Sequence, residues 1–206
     1  FQRIREARGM NYGDYAYIEA FPRGMFTFFP AANIARQRQI FEIWVRPVVP
    51  VNAQMALRVA VYELGRLVRD GLTPEEFQAT RNYLMKNVYV MTARQDDQLG
   101  YALDSRWYGI GEYTSYMRDA LGKLTSEEVN AAIRRHLSAD RLSIVIVTKD
   151  AAGLQRARVS DAFSAIKYDG EKGAALLEED KLVGALKLNI TPEHVRMTPL
   201  AEVFAK

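Results

Sequence analysis

The sequence predicts an α+β domain, in which helices cover one face of an antiparallel sheet. Three observations lead to this fold class. Strand-like segments come first, helical segments follow over residues 52–137, and a dense β-branched run comes after them at Ser143 to Thr148. Strands grouped before helices favour this arrangement over the strict alternation that is typical of a parallel α/β sheet.

The N-terminal part predicts one short helix and three strands. Phe1, Ile4 and Arg8 follow helical spacing, and Gly9 is the expected end of that helix. Alternation then predicts strands at residues 12–21, 25–29 and 40–49, with a turn at residues 22–24. Pro47 has no N–H for a strand ladder, so it predicts an edge at the end of the third strand.

Residues 52–137 predict a series of helices. The first ends at Gly71, and Thr73-Pro74-Glu75-Glu76 is a capping box that opens a second helix reaching about Thr92. Further helical segments cover residues 95–107, 113–121 and 125–137. The last of these again opens with a capping box, at Thr125 to Glu128.

Beyond Asp150 the periodic signal weakens. Residues 154–159 predict a short helix, and residues 168–206 predict an extended tail packed over the domain. Within that tail, residues 187–195 and Val203 are expected to add strand pairing. The expected organisation is therefore a domain at residues 1–150 with a C-terminal extension at residues 151–206.

The composition argues against several structural and functional classes of protein. The 206 residues are 49% hydrophobic, which is enough for a sizeable core, and the net charge of +3 comes from 28 basic and 25 acidic residues in mixed runs. This distribution argues against nucleic-acid binding. The absence of cysteine excludes a disulfide framework, and no apolar run is long enough for a membrane span. Because the chain opens on Phe1 inside a predicted helix, we expect it to be a piece of a longer precursor.

Arg5 and Tyr12 are the candidate catalytic residues. A turn at Gly9 would fold the chain back, so that a guanidinium and a phenol point at one developing oxyanion. The same spacing also fits the packing of a helix-end cation against a strand aromatic.

Three segments carry a family resemblance. They are Ile-Arg-Glu-Ala-Arg-Gly-Met-Asn-Tyr at residues 4–12, Gly-Leu-Thr-Pro-Glu-Glu-Phe at residues 71–77 with Arg81 and Leu84 after it, and the late strand at residues 142–148. In order and spacing, residues 1–150 resemble the C-terminal half of a pitrilysin or insulinase-type zinc metallopeptidase, the inverzincin group. Arg5 and Tyr12 match the Arg and Tyr pair of that family.

The resemblance implies two homologous α+β halves that close like a clamshell around a peptide substrate. The zinc cofactor would be bound by the other half, where a His-x-x-Glu-His helix and a downstream Glu hold it. This half would supply the charge of Arg5 and a hydrogen bond from Tyr12 to the oxyanion. The partner half would lie upstream in the same precursor or on a separate subunit, and this chain alone is expected to be inactive. Bacterial relatives are often periplasmic, so the resemblance implies a periplasmic location.

The sequence itself holds no zinc motif. A catalytic zinc takes about three protein ligands, and His136 and His194 are the only histidines. Glu193-His194 resembles the end of the inverted motif, but Ile190 stands where its first His should be. His136 follows two arginines near a predicted helix end, where the dipole favours a cation. We therefore expect no metal ligand in this chain.

Two further sets of side chains have a functional and a structural interpretation. Tyr15 and Tyr17 share one strand face and are candidates for substrate contact, with cross-strand packing as the alternative. Asp96, Asp97 and Asp104 predict a solvated helix start rather than a metal site.

A second function stays open within the same family. Members also serve as non-catalytic scaffold or core-type subunits, and the missing zinc motif fits that role equally well. A His-x-x-Glu-His motif before Phe1, or in a neighbouring reading frame, would favour the peptidase.

Overall fold

The computed structural model describes residues 1–18, 32–33 and 40–203. Within it the chain forms two compact units. Unit 1 consists of Phe1–Tyr15, Ile43–Gly65 and Ala139–Lys206, and unit 2 consists of Ala16–Glu42 and Arg66–Ser138. Each unit is described by itself below.

The chain opens with a short π-helix, Gln2–Glu6. The N–H of Ala7 donates to the carbonyl of Gln2 at 2.9 Å, which is the wider i to i−5 hydrogen bond of this helix type. Gly9 ends the turn with φ +62°, a left-handed conformation that glycine adopts without steric cost. The predicted stop at Gly9 is confirmed.

Two strands form an antiparallel sheet, β1 (Asn11–Ile18) and β2 (Phe41–Val48). They confirm the first and third predicted strands over these residues. The predicted strand at residues 25–29, the turn at residues 22–24 and the end of the first strand lie outside the described residues.

Most of the described chain is helical. The helices are α1 (Ala53–Asp70), α2 (Pro74–Met91), α3 (Gln95–Tyr108), α4 (Tyr113–Lys123), α5 (Ser126–His136), α6 (Ala151–Ser160), α7 (Ala174–Gly184) and α8 (Leu200–Val203). Short 3-10 turns occur at Pro50–Asn52 and Pro192–His194. The helical predictions for residues 52–137 and for residues 154–159 are confirmed, to within a few residues at the ends.

Side chains of the predicted type begin α2 and α5. Thr73 accepts a hydrogen bond from the N–H of Glu76, and the carboxylate of Glu76 accepts one from the N–H of Thr73. Thr125 and Glu128 form the same reciprocal pair at the start of α5. Each pair satisfies two of the backbone donors that a helix start leaves open, so both capping boxes are confirmed.

The core of unit 1 forms where the N-terminal helix, α1 and α7 meet. Its buried members are Ile4, Met10, Met55, Ala56, Val59 and Val183. Met55, Val59 and Val183 are fully buried. The end of the chain therefore contributes to the same core as its beginning.

Charged side chains surround this core. Arg8 is 3% exposed and donates to Glu179 and Asp180 of α7, each at 2.7 Å. Tyr168 donates to the second oxygen of Asp180 at 2.5 Å. A buried ion pair needs all its polar groups satisfied, and the carboxylate of Asp180 has a partner on both oxygens. This network holds α7 against the N-terminal helix.

A second buried arginine ties α1 to the segment after α6. The side chain of Arg58 donates to Oδ1 of Asp161 at 2.7 Å, to Oγ of Ser164 at 2.6 Å and to the carbonyl of Gly184 at 2.7 Å. Gly184 has no room for a side chain, because a Cβ there would lie 2.5 Å from the carbonyl oxygen of Ser164. Within unit 1, Arg58 therefore joins α1 to the residues after α6 and to the last residue of α7 by hydrogen bonds.

Unit 2 is built on α4, which packs against α2 and α3. Val88 and Leu121 are buried in it, and Arg118 donates to the carbonyl of Met85 at 2.9 Å. Asn130 of α5 uses both ends of its amide on the backbone of Leu72, accepting at 2.8 Å and donating at 3.1 Å. This contact fixes the turn between α1 and α2.

The predicted fold class is wrong. The structure is mostly helical, and the described residues contain a two-stranded sheet rather than a broad sheet covered by helices. Residues 143–148, predicted as a buried central strand, have no strand partner in the described chain, and Val145 and Val147 are about 90% exposed. A β-branched sequence favours an extended backbone, but a strand also needs a neighbouring edge with which to exchange hydrogen bonds.

The C-terminal part also differs from the prediction. Residues 187–195 form no strand, and Val203 lies in the short helix α8. Residues 174–184, predicted as extended tail, form α7. The sequence Ala-Ala-Leu-Leu-Glu-Glu consists of strong helix formers, and the missing cap side chain at Gly173 concealed the start. No helix among the described residues is long and apolar enough to cross a membrane.

Candidate functional site

The turn at Gly9 brings Arg5 and Tyr12 into contact. Cζ of Arg5 lies 4.4 Å from the centroid of the Tyr12 ring and 4.7 Å from that of the Phe1 ring. Both distances fit a cation–π interaction, which is worth about 0.5–1 kcal/mol at an exposed site. The two residues that the sequence singled out are neighbours in unit 1.

The contact leaves both groups accessible. Tyr12 is 74% exposed, and Arg5 is half-buried. A guanidinium that lies over a ring face keeps its N–H groups directed outward in the plane of the group. The pair thus presents a fixed positive charge with N–H donors beside a phenol.

Arg5 differs from the two other arginines near it. Arg3 pairs with Glu63 at 2.7 Å and with Glu179, and Arg8 pairs with Glu179 and Asp180. Within the described part of the chain, Arg5 contacts the two rings and has no carboxylate partner. Its charge is therefore available to an external anion.

Glu179, the acid that Arg3 and Arg8 share, remains ionised. Burial alone would raise the pKa of Glu179, but the hydrogen bond from Arg8 and the charges of Arg3 and Arg8 hold it below its ordinary value. Burial would lower the pKa of Arg3, and the hydrogen bond and charge of Glu63 offset this, so the pKa of Arg3 is raised. These two arginines are neutralised within the fold and serve its stability.

Asp14 is a site residue that the sequence did not single out. It follows Tyr12 by two positions in β1, so both point to the same strand face. Asp14 is 4% exposed, its Oδ2 contacts the backbone nitrogen of Phe1, and its Oδ1 has no hydrogen-bond partner among the described residues. The sequence signal that could have pointed to Asp14 is an acidic residue within a strand that is rich in aromatic residues. Asp14 is thus a buried acid on the strand face that carries Tyr12.

Tyr15 and Tyr17 lie on the opposite face of β1 from Tyr12, because side chains alternate along a strand. The ring of Tyr15 lies across Gly13, where a Cβ would be 3.2 Å from it. Tyr17 belongs to unit 2. The structure therefore does not bring Tyr15 together with the pair of Arg5 and Tyr12, and substrate contact at Tyr15 and Tyr17 stays a prediction.

The histidines occupy separate positions. His136 ends α5 after Arg134 and Arg135, as the helix-dipole argument predicts. His194 ends a 3-10 turn, with its Nδ1 3.0 Å from Oγ1 of Thr191. Over residues 1–18, 32–33 and 40–203, no three His, Cys, Asp or Glu side chains come together to hold a metal ion. The donor set described here does not fit a zinc ion.

Asp96 and Asp97 lie in the first turn of α3, as predicted for a solvated helix start. Asp96 faces Arg94 at 3.7 Å on the surface. Asp104 accepts a hydrogen bond from the N–H of Asn33 at 2.8 Å. Asp96 and Asp104 thus have structural contacts within unit 2.

No protein-family model, curated protein or solved structure matches this chain. The argument for function therefore rests on the residues and their geometry.

Proposed function

We propose that this chain is the non-metal half of a zinc endopeptidase and supplies Arg5 and Tyr12 to the active site. The observation that supports the proposal is the charge of Arg5 and its place beside Tyr12. Of the three arginines in residues 1–8, Arg5 is the one whose charge no described carboxylate neutralises, and it is held against an exposed phenol.

This arrangement suits a developing oxyanion. When a peptide carbonyl is attacked, negative charge grows on its oxygen, and donors fixed in advance stabilise it without reorganising. The guanidinium of Arg5 would supply charge and an N–H donor, and the hydroxyl of Tyr12 a second donor.

The attacking water would come from the other half of the enzyme. A zinc ion bound there lowers the pKa of its water and so provides a nucleophile at neutral pH. The residues of this chain bind no zinc in the proposal, and their role is limited to holding the substrate and its oxyanion. The family resemblance supports a periplasmic setting for such an enzyme.

A reconstitution experiment tests the proposal. Cleavage of a quenched random peptide library and bound zinc are measured for this chain alone, for the upstream half or partner subunit alone, and for their mixture. We expect activity only in the mixture, with the zinc carried by the other half. Stoichiometric zinc uptake with hydrolysis by this chain alone would contradict the proposal, and a stable but inactive assembly would instead indicate a scaffold subunit.

A further inference from the structure

Three arginines of the described chain are buried, and they differ in their partners. They are Arg8, Arg58 and Arg158, each at most 4% exposed. Arg8 pairs with two carboxylates, and Arg58 pairs with Asp161. Arg158, which lies in α6, has neither a hydrogen bond nor a carboxylate partner among the residues that the structure describes. Its charge is therefore buried without a described counter-charge.

The guanidinium of Arg158 offers donors that the fold does not use. Nε and Nη1 are buried and have no acceptor in the described chain. Nη2 also lacks a described partner, but it is not enclosed in the same way, so the group reaches solvent at this corner. Nη2 belongs to both paired donor edges of a guanidinium, one with Nε and one with Nη1. An ion that arrives from solvent can thus engage Nη2 together with one of its neighbours.

Asp161 is the acid nearest to Arg158 in the sequence, and its carboxylate is already occupied. Oδ1 accepts a hydrogen bond from Nη2 of Arg58 at 2.7 Å. Oδ2 accepts from the N–H of Leu188 at 2.9 Å and from that of Asn189 at 3.3 Å. Asp161 therefore neutralises Arg58 rather than Arg158.

The surroundings of Asp161 carry an excess of positive charge. Nε of Arg58 is buried without an acceptor among the described residues, and Lys187 donates from Nζ to the carbonyl of Asp161 at 3.0 Å. Burial first, and then the charge of Arg58, lower the pKa of Arg158 to about 10, so Arg158 remains charged at neutral pH. In these contacts three cations accompany one carboxylate, and the local field favours an anion.

A buried charge needs compensation. Moving a charged group from water into a protein interior costs free energy unless a counter-charge and hydrogen bonds offset the loss. The planar fork of a guanidinium fits two oxygens of an oxyanion, whereas a halide ion can accept from it only as a point charge. Because the rest of the group is enclosed, a small ion fits this corner better than a large ligand.

We propose that Arg158 binds a small inorganic oxyanion, sulfate or phosphate, at the surface of unit 1. The ion accepts hydrogen bonds from Nη2 and a neighbouring nitrogen, and it supplies the counter-charge that the described residues do not provide. The site uses neither Arg5 nor Tyr12, so it is independent of the proposed peptidase function.

Anion titrations test the proposal directly. Sulfate, phosphate and chloride are each added to the 206-residue chain at constant ionic strength, and binding is followed by the NMR signal of the Arg158 Nε–H group and the backbone shifts of α6. We expect saturable shifts with sulfate and phosphate, and roughly tenfold weaker binding of chloride. Shifts that do not saturate, or chloride binding as tight as that of both oxyanions, would overturn the proposal.

Substitutions locate the site. Arg158→Met removes the charge but keeps a long unbranched side chain, and it should abolish the saturable shifts. Arg158→Lys keeps the charge but lacks the fork, and it should weaken sulfate by roughly tenfold. Arg156→Met, at an exposed arginine of the same helix, is the matched control and should change the affinity less than twofold. Unchanged affinity in a folded Arg158→Met chain would overturn the proposal.

Thermal unfolding provides a second readout. An ion that binds the folded state raises the melting temperature, whereas the general effect of sulfate on protein stability acts on parent and variant alike. We therefore expect sulfate to raise the melting temperature of the parent and of Arg156→Met more than that of Arg158→Met, and an equal rise in all three would contradict the site. If Arg158→Met does not fold, Arg158→Lys carries the test, and unchanged sulfate affinity there would overturn the proposal.

Discussion

Arg8 donates from Nε to Oδ1 of Asp180 at 2.7 Å, although 172 positions separate the two residues in the sequence. The Arg8 side chain is fully buried and that of Asp180 is 8% exposed. Removing one partner of a buried ion pair leaves an uncompensated charge, which costs about 3–5 kcal/mol. We therefore expect Arg8→Met to lower the free energy of unfolding by about that amount in urea denaturation.

The double variant Arg8→Met with Asp180→Leu tests the cause. Because it removes both charges together, its loss should be clearly smaller than the sum of the two single losses. Additive losses would mean that the pair does not interact in solution.

The lowered pKa of Glu179 predicts an acid-dependent loss of stability. A carboxylate whose pKa is lower in the folded state contributes stability that is fully present above its unfolded value, about 4.3, and lost as the pH falls through the folded value. Glu179→Gln should therefore flatten the dependence of unfolding free energy on pH below about 4.3. The measurement is urea unfolding at several pH values, and an unchanged slope in the variant would contradict the assignment.

Under the proposed function, Arg5→Ala should lower the turnover of the reconstituted enzyme by about 100- to 1000-fold, because it would remove the charged donor from the oxyanion. Zinc content should remain unchanged. The measurements are kcat on a peptide substrate and bound zinc, both with the partner half present. Arg134→Ala, an exposed arginine in the last turn of α5, is the control and should retain full turnover.

Tyr12→Phe refines this test because it keeps the ring beneath Arg5 and removes the hydroxyl. We expect reduced kcat with an unchanged fold. Loss of zinc together with activity in either variant would point to a structural role for the pair.

Gly71→Ala should destabilise unit 2 more than Gly109→Ala does. Both glycines have positive φ, +73° and +67°, so the backbone strain is similar, about 1–2 kcal/mol. A Cβ at residue 71 would also lie 2.6 Å from the side chain of Asn130, whereas nothing lies within 4 Å at residue 109. Thermal unfolding of the two variants measures the difference, and equal melting temperatures would show that Asn130 moves aside freely.

The Glu112 side chain should titrate with a midpoint near pH 2. The hydrogen bonds from Ser115 and Thr114 lower its pKa because they stabilise the charged form. The stability that the ionised Glu112 carboxylate gives to the start of α4 is thus fully present above the ordinary pKa, about 4.3. It is lost as the pH falls towards 2. NMR titration of the side-chain carboxyl carbon measures this, and a midpoint at the ordinary value would show that the cap is open in solution.

The helical part of the fold could be predicted because its signals are local. Thr73 and Thr125 begin helices through contacts three residues away, and Gly71 ends one through its own backbone. The neighbourhood of Arg5 and Tyr12 was also accessible from the sequence, since one turn at Gly9 joins them.

The parts that the sequence missed depend on distant partners. Residues 143–148 have strand-like composition, but no local pattern states whether a second strand lies beside them. The start of α7 lacks a side-chain cap. Its buried acid Asp180 pairs with Arg8, which lies 172 positions earlier in the sequence. Asp14 was missed because its burial depends on packing that the sequence of its own strand does not indicate.

The pairing of Arg8 with Asp180 also sets an order of events during synthesis. At roughly 5–20 residues per second, a ribosome takes about 10–35 s to reach Asp180 after it has added Arg8. Over that interval Arg8 lacks this partner, and the N-terminal helix that carries the proposed active-site arginine lacks α7. Packing of the N-terminal helix against α7 is thus delayed until the ribosome has passed Asp180.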